Sequence, residues 1–257
     1  MNDAIQARQA VRASQDRLAT LVDELDEADL VRPSYDDGWT VADVLSHLGS
    51  QAEIFLLFVD AGLSGTEAPT SEAFGPIWDT WNSKAPVDQV ADSIAVNEAF
   101  VRRLEALDDE QLGTFSLSLF GMDLDAAGLL RMRLSEHAIH SWDVAVAFDE
   151  GATIPLDAAE ILVDALGATV ERVGQPTEVP LHVAVATSAP ALSLVLETEG
   201  VRLTPGDASG TGSRIEIAAE ALIRLVYGRL DDDHLGHPAV VTQGIELDVL
   251  RQVFPGV

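Results

Sequence analysis

Apolar residues recur at helical spacing through the first two thirds of the chain, and beyond Gln175 that period gives way to alternation. A 3.6-residue stripe and a two-residue alternation bury different faces, so such a chain must gather its helices in one block and a small sheet in another. Four long segments carry the helical period. The first spans about residues 4–30, with Ile5, Val11, Leu18, Leu21, Val22 and Leu25 on its apolar side, and Pro33 to Gly38 breaks it. Thr40 then starts a second helix, with Asp43 as the reciprocal acid of a capping box, which runs to about Ala61 before a Gly/Ser/Thr/Pro-rich loop from Gly62 to Ser71. A third covers about 87–107 and a fourth about 124–148. Four amphipathic helices in one block predict a four-helix bundle, with a fifth helix, Leu156 to Val173, leading out of it. Beyond it, 181–187, 192–197 and 214–218 alternate like strands, between turns at Gly200, Pro205-Gly206 and Gly210 to Gly212. Two short helices, 219–227 and 247–253, complete the tail. The expected class is α+β: a helical bundle over residues 1–175 and a small α+β domain over 176–257.

Within the fourth helix the stretch RLSEHAIHSWDVAVAF, residues 133–148, is both very apolar and sharply polar. Residues three and four apart share a face, so Leu129, Met132, Glu136, His140, Asp143 and Ala147 fall on one stripe. The other faces carry Leu130, Leu134, Ala138, Ile139, Trp142, Ala145 and Val146. A helix apolar nearly all round is a buried one. A carboxylate one turn from an imidazole inside it needs a partner, because an unpaired buried charge costs several kcal/mol or neutralises itself.

A metal ion meets that need. The i, i+4 spacing of Glu136 and His140 lets two side chains on one helix converge on one ion. A third ligand has to come from another helix, and His47 in GWTVADVLSHLGS is the candidate, flanking the face that buries Val41, Val44, Leu45, Leu48, Ala52 and Phe55. A His2Glu set with one open position is an arrangement of catalytic zinc. A ferritin-like di-iron site fits worse, since it needs two Glu-x-x-His pairs and further carboxylates. The pattern alone leaves a second reading open, in which Glu136 forms a buried salt bridge with Arg133 or Arg103. Asp143, three residues after His140 on the same stripe, is the candidate to orient that ligand as a hydrogen-bond acceptor.

Composition narrows the function. The formal net charge of −28, from 43 acidic against 15 basic residues, repels phosphate backbones and anionic lipid, so neither nucleic acid nor membrane is an expected partner. The basic residues are 14 Arg and Lys84, without a cluster that forms a patch. No cysteine is present, which removes disulfides, thiolate zinc sites and a cysteine nucleophile together. The N-terminus lacks the apolar core of a signal peptide, and no apolar run approaches the ~20 residues of a membrane span, so a cytoplasmic location is expected. No Gly-x-Ser-x-Gly elbow supports a serine hydrolase, and ASGTGS lacks the context of a phosphate loop. His137 lies about 100° round the helix from Glu136 and is set aside as a packing or surface residue. His182 has nothing to mark it out, and His234 and His237 in LDDDHLGH read as a polar loop. Trp39 and Trp142 are expected to pack, and Trp78 and Trp81 to line a mouth between helices.

GWTVADVLSHL, followed at a distance by RLSEHAIHSWDVA, closely resembles the mycothiol-dependent maleylpyruvate isomerase family. That family belongs to the DinB-like metal-binding four-helix bundles of actinobacteria. The resemblance implies a DinB-like N-terminal bundle followed by a small α/β C-terminal domain that ends near a Gly-Arg pair, matched by VYGRL, and it extends over nearly the whole chain. It places metal-binding residues at His47, Glu136 and His140. It also implies Zn2+ as the ion and mycothiol as a thiol cosubstrate, acting on a small electrophile or dicarboxylate substrate. The isomerase is thought to hold its dicarboxylate with arginines around the pocket. Here no Arg occurs between Arg32 and Arg102, which leaves Arg133, Arg214, Arg224 and Arg229 for that role.

The leading expectation is therefore a zinc enzyme that activates an external thiol, either for isomerisation or for S-transfer to an electrophile. A metal-bound thiol is deprotonated near neutral pH, which supplies the nucleophile that a cysteine-free chain lacks. The alternatives are a zinc-water hydrolase, for which Asp143 is the base the sequence offers, and a non-catalytic metal-binding module. The pattern is silent on whether the protein is a monomer or a dimer.

Overall fold

The computed structural model describes residues 2–187, 191–206, 212–236 and 238–256. It divides into two compact units, residues 1–149 and 150–257.

In the first unit the chain runs through α1 (Asn2–Asp23), the short α2 (Glu27–Leu30) and α3 (Val41–Ser64). It continues through α4 (Gly75–Asn82), α5 (Pro86–Glu105), α6 (Asp109–Thr114), the hairpin β1 (Leu117–Leu119) and β2 (Met122–Leu124), and α7 (Ala126–Ala145). The four long helices form the bundle: α3 packs on α5 and α7, and α1 packs on the other side of the same two. The capping box at Thr40 and Asp43 is present, Asp43 N–H donating to Thr40 Oγ1 at 3.2 Å and Thr40 N–H to the Asp43 carboxylate at 2.9 Å. It satisfies two amides that the first turn leaves without helical partners and so sets where α3 begins.

α3 is the core helix. Val41, Val44, Leu45 and Leu48 are fully buried and join Leu18, Val90 and Val144 in one apolar cluster. By length and composition α3 would pass for a membrane span, yet 67% of that stretch is buried inside the bundle. Gly49 allows the closest approach to α4. A Cβ there would lie 2.2 Å from the Trp81 ring, which is buried and donates its Nε1–H to Glu53 at 3.0 Å.

The second unit opens with α8 (Leu156–Val173), continues with β3 (Leu181–Ala186), β4 (Ala191–Glu197), β5 (Gly200–Pro205) and β6 (Ser213–Glu216), and closes with α9 (Ala219–Val226), β7 (Val241–Gln243) and α10 (Leu247–Val253). The sheet order is β5-β4-β3-β6-β7, antiparallel except for the parallel pair β3–β6. Register aligns Val183, Leu194 and Leu203 in one row and Ile215, Val185 and Leu192 in another. All six are buried, which is the single covered face that alternation encodes. α8 lies on β5 and α9, and a Cβ at Gly167 would sit 2.9 Å from the Leu203 carbonyl, so glycine lets helix and strand meet.

The fifth helix packs on β5 and α9, and the two compact units divide at Asp149/Glu150, where the sequence reading set the boundary at 175/176. Its apolar stripe, Ala159, Leu162, Val163, Leu166 and Val170, shows that the helix must bury one side but not against which partner. The segment ASGTGS and His237 lie at least partly outside the described residues.

Candidate metal centre

Two helices and one loop assemble the site. α7 starts at Asp125, whose carboxylate accepts from Gly128 N–H at 2.7 Å. Three turns later it presents Glu136 and His140 on one stripe, as the i, i+4 spacing requires. Glu136 Oε2 is 3.9 Å from His140 Nε2. α3 brings His47 from the opposite side, its Nε2 3.5 Å from the same carboxylate oxygen, and the two imidazole rings lie 4.6 Å apart. One donor atom from each of the three residues falls within 4.8 Å of the others.

Behind His140 stand two carboxylates. Asp143 is fully buried and its Oδ2 lies 2.9 Å from His140 Nδ1; Asp36 Oδ2 lies 3.3 Å from the same nitrogen. Asp36 arrives on the turn between α2 and α3. That turn is closed by Ser34 N–H to Trp39 O at 2.9 Å and Val41 N–H to Arg32 O at 3.0 Å, and Tyr35 N–H ties it to Asp143 O on α7 at 3.3 Å. Sequence reading took 33–38 only as a helix breaker. No local pattern marks Asp36, because its partner is a hundred residues away.

The charge states follow from these neighbours. Burial pulls His140 down, but Asp143, Asp36 and Glu136 outweigh it and raise its pKa to about 9. Burial also lowers His47, more than Glu136 raises it, which favours its neutral ring. Glu136 is pushed up by burial but held below its ordinary value by His47, His140 and Arg133, and it is anionic at neutral pH. An imidazole cannot offer both nitrogens as lone pairs, so with Nδ1–H given to Asp143, His140 presents Nε2 to the space shared with Glu136 and His47.

The donor set fits a divalent ion. Ligands about 2.1 Å from a tetrahedral zinc stand about 3.4 Å from one another, close to the 3.5 and 3.9 Å seen between the donors. Two imidazoles and one carboxylate leave a fourth position open, and the carboxylate behind His140 completes the usual support of such a ligand. Glu136 keeps 36% of its side chain exposed, so the stripe borders open space and is less enclosed than a uniformly buried helix would make it.

The salt-bridge alternative is not what forms. Arg103 pairs with Asp60 at 3.3 Å. Arg133 is fully buried, donates through Nη2 to Leu48 O at 3.2 Å and to Asn97 Oδ1, and lies 5.5 and 5.6 Å from the Phe55 and Phe100 rings. Burial lowers its pKa to about 10. In the second unit Arg214 pairs with Glu216, Arg224 is held bidentately by Glu220 at 2.8 and 3.0 Å, and Arg229 donates to Tyr227 O. His234 pairs with Asp231 at 2.7 Å, and His182 is exposed. His137 is buried away from the site, its Nδ1 at 2.8 Å from Ser14 Oγ and its Nε2 at 3.1 Å from Gln15 Oε1.

Beside His47 opens a cavity of about 550 Å³, walled in part by Trp39 and Trp78. The tryptophans divide differently from expectation: Trp78 and Trp39 line the mouth, while Trp81 and Trp142 are buried. Trp39 reaches the site because its ring sits 5.4 Å from His47 and 6.5 Å from His140.

Comparison with known proteins adds the following. The model of the mycothiol maleylpyruvate isomerase N-terminal domain matches residues 11–145. Two solved structures are similar over 93% of this chain and 92% of theirs at 15% identity: a mycothiol-dependent maleylpyruvate isomerase, TM-score 0.63, and a histidine-to-alanine mutant of that enzyme, TM-score 0.64. At this identity the likeness is one of fold, helical bundle and sheet unit included. No curated protein matches in sequence.

Proposed function

Because the chain belongs to the family of the mycothiol maleylpyruvate isomerase N-terminal domain, we propose that it is a zinc-dependent enzyme that uses mycothiol to isomerise a maleylpyruvate-like dicarboxylate. The observation that carries this reading is the meeting of His47, Glu136 and His140 donors within 4.8 Å, with Asp143 behind His140. Bound there, zinc would supply Lewis acidity that favours the thiolate form of a thiol at neutral pH.

The chain's own residues have separable tasks. His47 offers a neutral imidazole, Glu136 a carboxylate that offsets the ion's charge, and His140 its Nε2. Asp143 accepts the Nδ1 proton of His140 and fixes which nitrogen faces inward, with the Asp36 carboxylate 3.3 Å from the same nitrogen. Trp39 stands beside both imidazoles, its ring 5.4 Å from that of His47 and 6.5 Å from that of His140. No cysteine is present, so a thiol nucleophile has to come from outside. Its sulfur adds to the activated double bond while the π pair moves onto the conjugated carbonyl. The former double bond rotates, the pair returns, and the thiolate leaves unchanged. Asp143 is buried and accepts from His140, which leaves a zinc-water hydrolase without the base the sequence offered.

The test is conversion of maleylpyruvate by the zinc-loaded protein with and without mycothiol. Turnover that needs both, and is lost with stoichiometric zinc in His47→Ala and His140→Ala, supports the proposal. Net consumption of the thiol would instead mark S-transfer. Turnover indifferent to thiol or zinc overturns the proposal.

A further inference from the structure

We infer that Arg133 is a positioning residue for the metal centre: its guanidinium pins α3 and α7 to each other, and both to α5, at the level where His47 and Glu136 must meet. The inference rests on the metal site proposed above.

Arg133 is fully buried and lies one turn before Glu136 on α7. Its Nη2 donates at 3.2 Å to the carbonyl of Leu48, the residue that directly follows His47 on α3. The same nitrogen donates to Asn97 Oδ1 on α5. Asn97 in turn gives its amide hydrogens to Leu48 O at 3.3 Å and to Ser93 O at 2.9 Å. Three helices thus share one hydrogen-bonded node, a residue away from His47 and a turn away from Glu136. The Phe55 and Phe100 rings stand 5.5 and 5.6 Å from the guanidinium carbon, within cation–π reach, and hold it from two further points.

Stability does not explain a charge at this position. Among the described residues Arg133 forms no ion pair, and its Nε and Nη1 are buried without a hydrogen-bond partner. A buried cation with unmet donors is costly, and an apolar side chain of similar length would fill the core as well or better. What the guanidinium adds is direction. Val44, Leu45 and Leu48 fill the space around α3, but apolar contacts tolerate small slides that hydrogen bonds resist. Glu136 and His140 share one helix, so their spacing is fixed by the backbone. His47 comes from another helix, and its Nε2 stands 3.5 Å from Glu136 Oε2 only while α3 and α7 keep their register. Metal–ligand distances hold to about 0.2 Å, so a slide of roughly 1 Å would take His47 out of the donor set.

The test compares wild type with Arg133→Met and with Arg133→Met/Asn97→Leu, which replaces the node by apolar side chains and leaves no unpaired amide if the single variant folds poorly. Zinc affinity is measured by competition with a fluorescent chelator, metal geometry by the visible spectrum of the cobalt-substituted protein, and stability by urea unfolding after chelator treatment. Both variants should bind zinc about 10–100-fold more weakly, the range seen when groups that orient a ligand are lost. The cobalt spectrum should change, while the zinc-free fold stays as stable as wild type or becomes more so. A residue that only holds the core would give the reverse, a weaker fold with an unchanged cobalt spectrum. That result would overturn the inference, as would wild-type zinc affinity in both variants. Crystal structures of the zinc-free proteins supply a readout that needs no ion. The distance from His47 Nε2 to Glu136 Oε2 should widen beyond 3.5 Å in the variants, while that from Glu136 Oε2 to His140 Nε2, set within α7, stays near 3.9 Å. Failure of wild type to bind zinc would sink the metal reading, and the role of Arg133 would then stand or fall with that widening.

Discussion

Replacing Asp143 by Asn should change how zinc affinity depends on pH, in a direction the geometry dictates. Without metal His140 is an imidazolium with a pKa of about 9, raised by Asp143 at 2.9 Å and Asp36 at 3.3 Å. Zinc must displace that proton, a competition worth roughly 100-fold at pH 7 and about twofold at pH 9. Asp143→Asn removes one of the two negative charges and lowers the His140 pKa, which relieves part of the competition at pH 7. It also removes the charged acceptor that orients the ring, a loss typically of ~10–100-fold in intrinsic metal affinity. The two effects oppose each other at pH 7, and only the loss remains at pH 9. The ratio of wild-type to variant affinity should therefore be small near neutrality and climb toward ~10–100 at pH 9. Competition with a fluorescent chelator measures the ratio. Calorimetry at pH 7 in buffers of different ionisation enthalpy should count about one proton released per zinc in wild type and clearly fewer in the variant. Equal proton release in the two proteins, with a ratio that does not move with pH, would refute the assignment of the His140 proton to Asp143.

Other expectations concern the fold. In the zinc-free protein His140, with its folded pKa raised, adds stability that is whole below its unfolded value of about 6.5 and is lost as pH rises through about 9. Chelator-treated wild type should accordingly lose melting temperature over that window more steeply than His140→Ala. His137 has the opposite sign: burial holds it neutral, so the stability it contributes is present above about pH 6.5 and fades as acid protonates the unfolded chain first. His137→Gln should flatten the fall in melting temperature between pH 7 and 5, and an unchanged slope would remove His137 from the acid response. Gly49→Ala drives a methyl into the buried Trp81 ring and should cost about 2 kcal/mol or more, roughly 4–8 °C in melting temperature. Thr40→Ala dismantles the α3 capping box for about 1 kcal/mol, measurable by urea unfolding.

What the sequence determined by itself was local. The four long bundle helices, the Thr40–Asp43 cap, the strands β3, β4 and β6 and the pairing of Glu136 with His140 all follow from spacings of one to four residues, which the backbone turns directly into a shared face. Even so, the short α4 and α6, the edge strands β5 and β7, and the β1–β2 hairpin carried no periodic signal. The hairpin turns on Phe120 and Gly121, both at positive φ, with three-residue arms too short to show alternation.

Tertiary structure decided the rest. Which tryptophan opens to solvent depended on Gly49, whose missing side chain admits Trp81 and leaves Trp78 at the mouth. α8 joined the sheet because Gly167 lets it rest against Leu203, a contact that its own stripe does not name. His47 reached Glu136 because α3 and α7 pack together, and Asp36 reached His140 only because the loop before α3 folds back on α7. A periodic sequence specifies which side of an element is buried. The partner is chosen by the packing of the whole unit, and the site lies where those choices meet.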